Sequence, residues 1–468
     1  MVWLWSCTQL ARILPDRQGV GGNRAERGAR NPAALVALGF VGLLALWDAP
    51  VALARTWRIS QDGTGDAPTI QAAIDSAVAG DVILVGPGRY LENLDFLGKP
   101  IVLRSELGPY ATTLDGSSRD SSVVIFKRGE SREAVLDGFT ITGGRGSRTH
   151  RNLDHRGGGI FCVHGSPTIR NNIITDNHVD RRPWYSPGGG MLIGTGFYED
   201  GFNAPLIEDN TFERNSSEGN AGALGIKGAS TPIIVRNIFR SNECWADGGA
   251  IWDFALSRSE ELVVKENQFW ENVAGDHGGA IYTARSGFTG RVLIENNLFV
   301  RNQTLGPGHI GDTGSGGAIA ILDVGGILRH NTIVQNDGTH LQPNGGGGLL
   351  LYQTEEDFIV EWNLLAFNRE SGIACWWEGT ATMGPNLLWE NEGGDLGSGS
   401  GLCPDEWMEN LVIADPQFCG AETDNYTVAK GSPAFAGEEV MGTFTEPGCG
   451  PGVAIQRSSW GRIKARYH

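Results

Sequence analysis

The chain has 468 residues, 69 of them glycine, with 19% charged and 40% hydrophobic residues. That balance suits a turn-rich β protein with a continuous core and excludes a disordered chain or a helix bundle. A formal net charge of −17 argues against nucleic acid as a partner, because phosphate binding needs a basic stripe; it also disfavours bare polyanionic glycans unless a cation bridges them.

The N-terminus reads as an export leader. Arg24, Arg27 and Arg30 precede an apolar run from Ala33 to Leu46, and Ala52-Leu53-Ala54 supplies a cleavage site between small residues. The run is too short for a comfortable membrane span, so no stable span is expected once residues 1–54 are removed. Next, Ile70, Ala73, Ile74, Ala77 and Val78 share one helical face, with Gly80 as the stop. Short β-rich pieces follow, including Asp81–Leu94 and Pro100–Ser105. A short amphipathic helix placed there covers the open end of a β stack, which would otherwise template aggregation.

Further along, two signatures repeat. One is small-small-small-aliphatic, ending at Ile160, Met191, Leu224, Ile251, Ile281, Ile319, Leu349 and, in degenerate form, Ile373. The other is Asn-x-apolar-x-x-Asn, starting at Asn172, Asn210, Asn237, Asn267, Asn297, Asn331, Asn363 and Asn386. The mean step is about 31 residues, within the range of solenoids and propellers. Each unit holds short strands between Gly, Asn and Asp, and its length varies too much for propeller blades. The expected fold is therefore all-β: a right-handed parallel β-helix over residues 55–400, a loop-rich C-terminal cap over 401–450 and a basic tail over 451–468. Handedness follows the general preference for right-handed crossovers. The repeated Asn is expected to take a left-handed turn conformation and to stack its amide from coil to coil.

Export permits disulfides among Cys162, Cys244, Cys375, Cys403, Cys419 and Cys449, the cysteines left after the leader. A Cys403–Cys419 bridge is expected in the loop-like tail. Cys162 and Cys375 share parity with inward aliphatics and are expected to be buried free thiols. No spacing suggests a metal site of the zinc kind.

Strand alternation after each glycine corner sorts the side chains. With Ile251 and Ile281 inward, Trp252 and Tyr282 point outward on neighbouring coils, where flat aromatic faces suit sugar rings; loops covering them are the plainer expectation. The next inward position holds Asp253, one coil before Thr283. A buried carboxylate needs a donor, and Thr283 is placed to supply one. The alternative is that Asp253 faces a groove with Asp247, Asp276 and His277, which flank the same glycine corners and would form a catalytic or cation-binding group.

Thr69-Ile70-Gln71-Ala72-Ala73-Ile74 and Gly88-Arg89-Tyr90-Leu91-Glu92-Asn93 resemble the N-terminal region of the pectin-lyase-like β-helix superfamily, which includes pectinesterases. The glycine corners paired with Phe-x-x-Asn resemble the repeats of chlamydial polymorphic membrane proteins. The resemblance implies the fold and leaves the activity open. A pectinesterase's catalytic segments are absent: Asp357-Phe358-Ile359-Val360 lacks the expected glycine, and Arg182-Pro183-Trp184 precedes it, in the wrong order. Asp276-His277-Gly278 and Arg462-Ile463-Lys464 echo polygalacturonase segments without the paired aspartates. The functional expectation is a secreted, periplasmic or cell-surface monomer that binds polysaccharide or cell-surface glycans without catalysis. The alternatives are a polysaccharide lyase or glycoside hydrolase, with calcium expected only for a lyase, and a structural or adhesive surface protein.

Overall fold

The computed structural model describes residues 54–449, apart from 149–154, 181–186, 195–201, 256–260, 285–289, 307–314, 339–344, 355–356, 377–380, 398–402 and 438. The leader and the basic tail lie outside the described residues, as does Arg182-Pro183-Trp184.

Each coil repeats one path. The coil that starts at the Gly248-Gly249 corner runs through Ile251–Ala255, Glu261–Lys265, Gln268–Trp270 and the short Val273–Ala274 before turning into the next. Equivalent strands pair in parallel and build three long sheets of 11, 12 and 12 strands, plus a five-stranded strip. We call them the glycine, aliphatic and asparagine faces, in that order. Register holds from coil to coil: Ile160, Met191, Leu224, Ile251, Ile281, Ile319, Leu349 and Ile373 form one continuous column. These side chains meet those of the other two faces in a single core that runs from Ile59 to Trp407.

Two ladders of buried amides flank the asparagine face. In one, Nδ2 of Asn237 donates to Oδ1 of Asn267 at 3.0 Å, and Nδ2 of Asn267 donates to Oδ1 of Asn297 at 3.1 Å. The pattern extends from Asn172 to Asn386. The second Asn of each motif builds a matching ladder from Asn177 to Asn391. The left-handed residue is not the ladder Asn but the one before it, such as Arg236 (φ 56°), Glu266 (φ 57°) and Trp362 (φ 56°). That corrects the expectation. The ladder Asn must aim its amide along the stack, and the strained turn falls on its neighbour, whose side chain is free to vary. Between the ladders, Phe212, Phe239, Phe269 and Phe299 stack with centroids 4.9, 4.9 and 4.6 Å apart, close to the ~4.8 Å coil spacing.

At the N-terminal end the helix Ile70–Ser76 buries Ile70, Ala73 and Ile74. Thr69 caps it through Ala72 N–H, and the Glu92 carboxylate accepts from the N–H groups of Ile70 and Gln71 at 3.0 Å each. These are free donors at the first turn, where a negative charge is favoured. The two motifs that carry the superfamily resemblance thus hold each other in place. Ala77 ends the helix in extended conformation, which turns Val78 out to 54% exposure; Val78 leaves the predicted buried face.

The other end corrects the cysteine assignments. Cys375 bonds Cys403 and Cys419 bonds Cys449, while Cys162 and Cys244 are buried free thiols. Cys375 is inward on a late coil, facing the segment that closes the stack with Cys403 and Trp407. Cys419 lies on the antiparallel pair Phe418–Gly420 and Asn425–Val428, and Gly448 N–H donates to Val428 O, which brings Cys449 alongside. Proximity in space decided the pairing, and Cys403 and Cys419 belong to different structures. Leu411–Ile413 adds the last strand to the asparagine face, and the chain after it folds back as a strap over the outside of that face. There Tyr426, Val428, Ala434 and Met441 pack on Leu298, Val300, Val334 and Leu364.

Candidate functional site

Glycine shapes the corner that precedes each glycine-face strand. Gly248 and Gly278 hold φ of 73° and 63°, open to glycine at no steric cost. A Cβ on Gly279 would collide with the Gly317 carbonyl of the next coil. Just before these pairs stand Asp247 and His277. Asp247 Oδ1 accepts from the His277 backbone N–H at 3.2 Å and lies 2.9 Å from Nδ1. Both side chains are partly exposed, at 21% and 26%. Burial alone would lower the His277 pKa, but the Asp247 hydrogen bond, its charge and that of Asp276 outweigh it and raise the pKa above its ordinary 6.5. Tyr282 lies beside the imidazole, with centroids 6.1 Å apart. The structure therefore brings together Asp247, Asp276, His277 and Tyr282.

Asp253 stands elsewhere. It is fully buried, inward in register with Thr283, whose hydroxyl donates to it at 2.8 Å. The structural reading of this carboxylate holds, and the groove alternative does not.

The outward positions of the glycine face form two columns. Trp252 and Tyr282 are neighbours in the first, followed by Ala320, Leu350 and Ala374. Trp252 is only 4% exposed. Its ring stacks on Phe254 (5.6 Å, 6°) with the Lys227 ammonium 5.6 Å away, so it supports the surface from beneath instead of presenting a face. Tyr282 is half-buried. The second column, Ala284, Leu322, Tyr352 and Trp376, was missed from sequence. The same alternation, carried two residues further, gives it directly. Leu322, Tyr352 and Trp376 are half-buried, and Tyr282, Leu322 and Trp376 pack on Ala320, Leu350 and Ala374.

A third group lies on the short strip. The donor atoms of His178, Asp180 and Glu218 fall within 4.8 Å of one another. His178 already engages Ser216 Oγ and Asp180 Oδ1 at 2.8 Å each, and both carboxylates are exposed, so the group stands as a surface cluster.

A family model described as a right-handed β-helix region matches residues 118–402. The chain belongs to the right-handed β-helix family. Solved structures similar to this β-helix include a PL6 family alginate lyase, AlyGC, and a point mutant of it. They align over 85% of this chain at 15% and 14% identity, with TM-scores of 0.33 and 0.39. The β-helix spans 59% of the length of each, and a likeness this distant carries no argument about activity. No curated protein matches the chain. Among the described residues no helix is long and apolar enough to cross a membrane.

Proposed function

We propose that this β-helix is exported and binds a polysaccharide or cell-surface glycan along the outer glycine face. The observation that carries the reading is the half-buried row of Leu322, Tyr352 and Trp376, with Tyr282 beside it in the neighbouring column. Adjacent coils repeat every ~4.8 Å, so the row is a ribbon of apolar and aromatic faces along the stack, matched to the C–H faces of sugars. The acid-rich composition favours neutral glycans, or acidic ones bridged by a cation. Two disulfides are consistent with an oxidising compartment. The test is affinity electrophoresis of residues 55–468 against neutral and acidic polysaccharides, with calcium and with chelator. Retention by at least one glycan, weakened by Tyr282→Ala and by Trp376→Ala, is expected; unchanged retention in both variants removes the ribbon from the account.

A second reading, a polysaccharide lyase or glycoside hydrolase, rests on the Asp247–His277 pair, a base held in place beside a tyrosine. Calcium as a catalytic cofactor belongs to the lyase alone. New unsaturated uronate absorbance or new reducing ends, lost on His277→Ala in a folded protein, would establish it.

A further inference from the structure

Asp247 and His277 are consecutive members of one column at the glycine corners, and the column continues. The backbone repeats a single bond: Ala221 N–H to Asp247 O at 3.0 Å, Gly248 N–H to His277 O at 2.9 Å, Gly278 N–H to Ser315 O at 3.1 Å and Gly316 N–H to Gly345 O at 2.9 Å. His277 and Ser315 are also directly bridged in parallel register. Elsewhere the column holds ordinary turn residues: Pro187, Asn220 and Gly345. On three successive coils it reads acid, imidazole, hydroxyl.

We propose that Asp247, His277 and Ser315 form a nucleophilic triad that hydrolyses acyl esters, with an O-acylated glycan as the substrate class. The Asp247 carboxylate fixes the imidazole through Nδ1 and the backbone N–H together, which leaves Nε2 on the side away from it. Residues paired in a parallel register project from the same side of the sheet, so Ser315 follows His277 in direction. The Ser315 hydroxyl is buried and makes no hydrogen bond among the described residues. Buried hydroxyls are nearly always satisfied, and an exception calls for an explanation; a nucleophile is one, because catalytic hydrogen bonds often tighten only on substrate binding. The backbone bridge sets Ser315 and His277 on adjacent coils, ~4.8 Å apart, the spacing at which a side chain on one coil meets its neighbour on the next. The acyl group approaches from the half-exposed His277 side, since the hydroxyl itself is covered. The raised His277 pKa agrees with an imidazolium stabilised by Asp247.

The chemistry balances with water as the only co-reactant. Ser315 Oγ attacks the acyl carbon while its proton passes to His277 Nε2. The bond from the acyl carbon to the sugar oxygen then breaks, and that oxygen takes the proton from Nε2. Water attacks the acyl-serine ester with Nε2 as base, releasing the carboxylic acid and restoring the serine. Asp247 is a positioning residue.

This activity does not depend on glycan binding, so the test uses a fluorophosphonate probe and p-nitrophenyl acetate on residues 55–468. Stoichiometric labelling and ester hydrolysis are expected, with both falling at least about a hundredfold in Ser315→Ala and in His277→Ala. Asp247→Asn is expected to slow labelling and shift its pH profile. Ser315→Ala removes a hydroxyl that bonds nothing among the described residues, so its melting temperature should stay within about 2 °C of the parent; this separates lost chemistry from lost fold. A folded parent that neither labels nor hydrolyses overturns the proposal, as does labelling that persists in Ser315→Ala.

Discussion

The asparagine face and the glycine face carry the same kind of outward apolar column, and the chain treats them differently. On the asparagine face the outward residues are polar early on, as at Thr211, Glu213 and Arg240, and become apolar at Leu298, Val300, Val334, Leu364 and Ala366. The strap lies over that apolar stretch, and its residues join the cluster. On the glycine face the outward cluster is built, among the described residues, from residues of the face itself. An apolar surface covered by its own chain serves stability. The half-buried residues Tyr282, Leu322, Tyr352 and Trp376 of the glycine face are those to which the proposed glycan binding is assigned.

That contrast breaks most readily at Tyr426. It is almost fully buried in the strap, donates to Gln335 Oε1 at 2.9 Å, and sits beside the Arg301–Asp424 pair. Its pKa is pushed up to about 12, by burial first and then by the Asp424 charge. Tyr426→Ala should cost about 3–5 kcal/mol, read as a fall in melting temperature, while glycan retention stays as in the parent. Next, serine at both Cys419 and Cys449, 30 residues apart, should cost about 2–4 kcal/mol in denaturant melts. The effect should be confined to the strap side. Loss of retention in either variant would mean that the two faces are not independent.

The converse changes lie on the glycine face. Tyr282→Ala should reduce glycan retention roughly tenfold, which is about 1.4 kcal/mol, while removing about 1 kcal/mol or less of stability. The smallest effect concerns pH. His277 has a folded pKa raised above its unfolded value near 6.5. The pair's stabilisation is therefore fully present below pH 6.5 and is lost as pH rises through the folded pKa. Asp247→Asn should bring the ring titration, followed by NMR, below that of the parent and flatten this dependence.

Much of this was legible before any coordinates. The glycine corner fixes which residue is inward, and alternation fixes the rest; hence the register of the glycine face and the Asp253–Thr283 contact. Three matters were not legible. Trp252 is outward by parity but buried by its surroundings, which no local pattern encodes. Cysteine pairing depended on where the strap lies, and sequence spacing says nothing of that. The turn strain fell on Arg236 and Glu266 instead of the adjacent Asn, because the amide was already committed along the stack. The Asp247–His277 contact follows from the corner spacing, whereas Tyr352 and Trp376 needed the alternation carried past the first outward residue.

The amide ladders also have a direction. In both, each Oδ1 accepts from the asparagine of the preceding coil, while Nδ2 spends one proton on the next asparagine and another on a backbone carbonyl of the preceding coil, as from Asn237 to Ile207 O, so the carbonyl dipoles all point the same way. Hydrogen bonds arranged this way polarise one another, by about 10–30% per bond. The ladders do not stop abruptly at their ends: Asn172 Oδ1 accepts from Phe139 N–H at 2.9 Å, and Asn386 Nδ2 donates to Val360 O at 3.0 Å. The same amide bond thus joins each coil to the next from Asn172 to Asn386, so one residue type carries a continuous polar seam through coils whose lengths differ.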